Sequence, residues 1–201
     1  MQTTLRNFSV SALISFLFVL PFSIMEIVNR RNYNEEFPFT PFLALWINVF
    51  ALSLILLPIV LSKRANKQGN INSNPVTGNS WLTNPKSSLI ISVALILFIV
   101  IPSLLSLLGW APMQELNTEY VFAFGIQVPS IFIAFTLFSF PIIAGYVASM
   151  PIVRTLQTGG DMFAHPIHLI IVVVLSFLFA VGVIGMIVDQ WPCFLGVPNC
   201  D

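Results

Sequence analysis

A chain of 201 residues that is 57% hydrophobic and only 8% charged, with a mean hydropathy of +0.92, does not carry enough polar surface to be wrapped in water. Soluble domains carry about 25% charged residues, whereas a bilayer solvates apolar side chains directly, so the composition points to an integral membrane protein. Eight basic and eight acidic residues balance to zero, which removes a global electrostatic case for nucleic acid, and no stretch has the form of a groove-reading or phosphate-binding module.

Five apolar segments approach or reach the roughly 20 helical residues needed to cross a hydrocarbon core. The first, from about Phe8 to Val28, is longer than a typical cleaved-signal core and no small-residue cleavage pattern follows it, so it reads as a retained helix. The second covers about Pro41 to Leu61 and the third about Ser88 to Leu108. Between them, Lys63 to Ser87 is rich in Asn, Gly, Ser and Pro and reads as an irregular polar linker, with Asn84-Pro85 opening the third helix. The apolar stretch from Val121 to Val153 is too long for one crossing, since as straight helix it would reach about 50 Å. Pro129, Pro141 and Pro151 punctuate it. VFAFGIQV is therefore read as an interfacial or re-entrant lead-in, with the crossing from about Pro129 to Met150 and a kink near Pro141. The fifth covers about Ile167 to Val188, opened by His165-Pro166. The runs are continuous rather than alternating, so helices are expected and barrel strands are not. The expected fold is all-α and polytopic, a single membrane domain over residues 1–201.

Lys and Arg favour the cytoplasmic side. With five crossings, six of the eight bases lie on the side of the N-terminus (Arg6, Lys63, Arg64, Lys67, Lys86, Arg154) and two on the other (Arg30, Arg31). The N-terminus is therefore expected in the cytoplasm and the tail, residues 189–201, on the translocated side. That compartment is oxidising, and Cys193 and Cys200 are the only cysteines. A structural disulfide is the leading reading of the pair, and closing so small a ring would contribute roughly 2–3 kcal/mol. A redox-active pair, a metal site and free thiols are the alternatives. Redox pairs are usually closer together, as C-x-x-C, and the tail offers no further metal ligand.

LFVLP (Leu17 to Pro21) and LFIVIP (Leu97 to Pro102), with Pro58-Ile59-Val60 and Pro151-Ile152-Val153, suggest a parallel repeat of two helices plus an added fifth. Chance matching between apolar segments is the competing explanation. Asp161, His165 and His168 form the densest ionisable cluster, and the i, i+3 histidines could share a helix face for a metal such as zinc. The ordinary alternative is interfacial histidine at a helix entrance, and no metal or other cofactor is expected. Glu26 stands four residues before Arg30, the favourable order for an interfacial ion pair, although an intramembrane acid is also a candidate for transport. Small residues (Ala144, Gly145, Ala148, Gly182, Gly185) would let helices approach closely, within the chain or in self-association. Trp46, Trp110 and Trp191 fit aromatic anchoring at the membrane boundaries. No G-x-S-x-G, H-E-x-x-H, Walker loop or G-x-G-x-x-G is present to support an enzyme.

DQWPCFLGVPNCD at the end, LPFSIMEIVNRRNYNEEFPF near the start and MPIVRTLQTGG before the fifth helix together resemble small multi-pass bacterial membrane proteins of the cyanobacterial type. The resemblance covers the first helix with its loop and roughly the last 50 residues. It implies location and architecture, a bacterial plasma membrane or a thylakoid membrane, and brings no activity with it. The expected partners are the bilayer and other membrane proteins. The leading functional reading is a non-enzymatic accessory, assembly or scaffold component of a membrane complex. A small transporter or channel is the alternative, and a thiol-redox protein a weaker one.

Overall fold

The computed structural model describes residues 2–29, 39–67, 84–108, 120–123 and 126–197. In chain order these form α1 (Gln2–Asn29), α2 (Phe39–Lys67), α3 (Pro85–Leu107), a small antiparallel pair β1 (Tyr120–Ala123) and β2 (Ile126–Pro129), α4 (Ser130–Gln157), a 3-10 turn (Met162–Ala164), α5 (Pro166–Asp189) and a short helix α6 (Trp191–Phe194). Five of them, α1 to α5, are long and apolar enough to cross a membrane. Helix is the expected outcome for apolar runs in lipid, where every backbone N–H and C=O must find its partner within the segment. Pro21, Pro58, Pro102, Pro141 and Pro151 lie inside these helices, which transmembrane helices tolerate better than soluble ones.

Two helices run past the ends expected from sequence. The segment read as linker from Lys63 begins as helix, because α2 continues to Lys67. Lys, Arg and Ala are good helix formers, and their positive charge at a helix C-terminus complements the macrodipole. The fourth crossing likewise runs on to Gln157, beyond the expected Met150, and carries both Pro141 and Pro151 within one helix. The lead-in VFAFGIQV does lie outside the crossing helix. It belongs to a two-stranded ribbon in which Val121 pairs with Val128 and Phe122 with Gln127, so the fold is helical with one small hairpin. Its β-branched and aromatic residues favour extended backbone.

α2, α4 and α5 pack on one another as a three-helix centre, while α1 packs chiefly against α2 and α3 against α4. Ala51, Ile55 and Ile59 of α2, Ala144, Ala148 and Ile152 of α4, and Val172, Leu175 and Phe179 of α5 form the main buried cluster. A second joins Val19 of α1, Leu45 and Val49 of α2 and Val183 of α5. Apolar burial gives no net drive between helices already in lipid, so close packing carries the association. Gly145 illustrates this, because a Cβ there would stand 2.5 Å from Ile55 Cδ1 across the α2–α4 crossing.

The buried positions of the two central helices fall into register. Ala51, Leu54, Ile55, Pro58 and Ile59 are buried on α2, and Ala144, Val147, Ala148, Pro151 and Ile152 on α4. The offset is constant at 93 residues, from 51 to 144 and from 59 to 152. α2 and α4 each carry one flanking helix, α1 or α3, ahead of it in the chain. The arrangement has the form of a repeated helix pair with α5 added.

Candidate functional site

The bundle has two ends of opposite character. One gathers the C-termini of α2 and α4 with the N-termini of α3 and α5, and carries Lys63, Lys67, Lys86 and Arg154; it is called the basic end. The other gathers the C-termini of α1, α3 and α5 and holds Glu26, Asp189 and α6; it is called the acidic end.

At the basic end the structure brings His165 and His168 together, with ring centroids 5.7 Å apart and planes at 73°. His168 is 4% exposed, and its Nε2 lies 2.9 Å from Ser88 Oγ at the start of α3. Nε2 of His165, the residue preceding α5, lies 3.0 Å from Thr155 Oγ1 near the end of α4. The hydroxyls are also placed against backbone: Ser88 Oγ donates to the Pro85 carbonyl at 3.1 Å and Thr155 Oγ1 to the Pro151 carbonyl at 2.9 Å. A hydroxyl has one proton, so a Ser88 that donates to Pro85 accepts from the His168 ring N–H, and the same reasoning holds for Thr155 and His165. Pro at the start of α5 fixes the approach of the chain, and Gly160 lies close behind Thr155. Thus two imidazoles, one serine and one threonine tie α3, α4 and α5 together where they leave the membrane.

Asp161, grouped with these histidines by sequence, does not join them in a ligand set. Its carboxylate caps the 3-10 turn by accepting from Phe163 N at 3.3 Å. Among the described residues no group of three His, Cys, Asp or Glu is arranged to hold a metal. The pair as placed is suited to hydrogen bonding between helices.

At the acidic end Glu26 is 6% exposed, and its Oε2 is buried with no hydrogen-bond partner among the described residues. The expected partner Arg30 lies outside the described residues. Phe22, Glu26 and Asn29 share one face of α1 at spacings of four and three residues, and that face meets α6. Phe22 packs on Phe194 with ring centroids 5.3 Å apart, and Asn29 Nδ2 donates to the Phe194 carbonyl at 2.6 Å. Phe194, 2% exposed, also meets Phe42 of α2 at 6.1 Å. Beside it Pro41, Leu45, Met186 and Gln190 complete a slot of about 10 Å³, at the lower limit for one water.

The tail sequence explains this docking. Trp191-Pro192 starts α6 with Pro in the first turn, where its missing N–H costs nothing. Gly196, at φ 71°, ends it in a left-handed cap, with Gly196 N donating to Cys193 O and Val197 N to Pro192 O. Gly159, at φ 83°, ends α4 by the same pattern. A side chain at 196 would also meet the Asn29 carbonyl, 2.9 Å from an added Cβ. Cys193 is buried and is not a free thiol. Cys200 lies outside the described residues.

Ser88, Thr155, Asn29 and Phe194 were not singled out by sequence. Ser88 and Ser92 do carry a signal, as polar residues four apart in the largely apolar first half of α3, and both are fully buried. Ser92 Oγ donates to the Ala144 carbonyl of α4 at 3.0 Å. Compared with known proteins, the chain matches no family model, no curated protein and no solved structure.

Proposed function

We propose that the chain is a non-enzymatic accessory or assembly subunit of a larger membrane complex, in a bacterial plasma or thylakoid membrane, with its N-terminus in the cytoplasm. The observation that carries this reading is how the polar groups inside the bundle are used. Ser88 and Ser92 bond across to neighbouring helices, and Asn48 Nδ2 bonds to Ala44 O within α2 while its Oδ1 faces Gly182 of α5. These groups serve helix packing, and none converges on a chamber. α1 and α3 meanwhile flank the centre with mostly exposed apolar faces, which suit lipid or the helices of another subunit. In the same proposal a Cys193–Cys200 disulfide holds the outer tail, supported by Cys193 being bonded rather than free.

The test is purification of the tagged full chain from its native membrane in mild detergent. A stoichiometric protein partner that survives gel filtration is expected. A homogeneous preparation of this chain alone, at native expression, would contradict the reading. A second reading, a small transporter, draws on the repeated helix pair and on buried Glu26. Flux through vesicles containing the pure chain, lost in Glu26→Gln, would favour it instead.

A further inference from the structure

The two histidines at the basic end belong to a hydrogen-bonded set that is complete when both rings are neutral. Ser88 Oγ and Thr155 Oγ1 each donate their single proton to a backbone carbonyl, of Pro85 and Pro151. Each hydroxyl therefore accepts a ring N–H, from Nε2 of His168 at 2.9 Å and from Nε2 of His165 at 3.0 Å. With Nε2 carrying the proton in both rings, Nδ1 is where a further proton adds. Free imidazole takes it up near pH 6.5.

The surroundings oppose that proton. Two charged rings would stand 5.7 Å apart between centroids, with His168 only 4% exposed. The charged groups on the elements that meet here are mostly of the same sign: Arg6 near the start of α1, Lys63, Arg64 and Lys67 at the end of α2, Lys86 at the start of α3 and Arg154 at the end of α4. Asp161 is the one acid on these described elements; it is exposed, and its carboxylate accepts from Phe163 N. Residues 68–83, between α2 and α3, contain no ionisable side chain and so bring no counter-charge. The Pro85 carbonyl, which faces the His168 ring as well as Ser88 Oγ, offers one neutral dipole.

α3 is the least buried of the five long helices. It packs chiefly on α4, where Ser92 Oγ bonds to the Ala144 carbonyl, and the Ser88–His168 bond ties its start to α5. We propose that His165 and His168 with Ser88 and Thr155 form a pH-sensitive clasp. It fastens the start of α3 and the end of α4 to α5 while both rings are neutral, and it opens when they take up protons, freeing the start of α3 first. The opening is local, because the main buried cluster of α2, α4 and α5 holds no titratable side chain. Below about pH 6.5 the unfolded chain takes protons that the closed clasp excludes, so stability is full above that pH and is lost as the pH falls.

Thermal unfolding of the full chain in mild detergent at pH 7.5 and pH 5.5, at matched ionic strength, tests the clasp. The parent is compared with the double variant His165→Gln, His168→Gln, whose amides keep a donor near each Nε2 position and cannot take up a proton. The parent midpoint is expected to fall by roughly 3–8 °C at the lower pH, and the double variant to lose most of that response. A parent midpoint that does not move overturns the proposal. So does an equal fall in the double variant, which would assign the response to another group. Amide exchange in the parent, corrected for the pH dependence of the intrinsic rate, is decisive even where the double variant does not fold. Amides 88–95 should lose about tenfold in protection at pH 5.5 while 144–152 keep theirs. Unchanged protection at 88–95, or equal loss at 144–152, overturns the local opening.

Discussion

Replacing Phe194 by alanine tests whether the tail is held by packing. Phe194 is 2% exposed, packed between Phe22, Phe42 and the acidic-end termini of α2 and α5. Truncating a buried phenylalanine to alanine costs about 3–5 kcal/mol, and its two aromatic neighbours place this site within that range. The loss falls on tail docking rather than on the bundle, because α6 lies across the ends of α1, α2 and α5 and can lift away without opening the α2–α4–α5 centre. At about 1.4 kcal/mol per factor of ten, even the lower bound raises the open population of the tail about a hundredfold. Hydrogen–deuterium exchange read by mass spectrometry should show amides 193–197 exchanging about two orders of magnitude faster in Phe194→Ala. Amides in the centre, such as 144–152, should be unchanged. Phe194→Leu, which keeps most of the volume, should lie well below that. Unchanged tail exchange in Phe194→Ala would refute the packing argument, and equal acceleration throughout the bundle would refute the separation of tail from centre.

Other expectations follow from close contacts elsewhere. Gly145→Ala should destabilise the bundle by about 1–3 kcal/mol through overpacking on Ile55, and adding Ile55→Val should recover part of the loss in thermal unfolding. Ser88→Ala leaves the buried His168 Nε2 without its hydroxyl partner and should cost about 1–3 kcal/mol, measured the same way, whereas Ser103→Ala on the exposed face of α3 should be near neutral. In membranes prepared without reductant, a maleimide should label Cys193 and Cys200 only after reduction; labelling of both beforehand would show that no bridge joins them.

What was legible in the residues follows from how local each cause is. The five crossings were legible because twenty consecutive apolar residues admit one solution in lipid, and the ends set by Pro85, Pro166 and Asp189 carry their own signals. The end of α2 is not legible because Lys63 to Lys67 is polar, which reads as loop, while helix propensity and the dipole favour continuation. The hairpin is not legible because VFAFGIQV is apolar apart from Gln127, and its period of two is visible only from the pairing of Val121 with Val128. His165 and His168 were found as a pair, while Ser88 stands 80 positions away from His168 in the chain. No local pattern announces that contact. Glu26 is legible as ionisable, but its burial, and the docking of α6 against the same end of α1 through the Asn29–Phe194 bond 165 positions apart, are not announced by any local pattern.

The central proposal is that the five-helix membrane protein turns its acidic end and tail away from the cytoplasm. Its most direct test is a pair of topology reporters, one fused after Asp201 and one inserted within residues 66–83. The account predicts a tail reporter active only outside the cytoplasm and a loop reporter active only inside. Both reporters active on the same side would contradict the five crossings, and the reverse assignment would contradict the orientation.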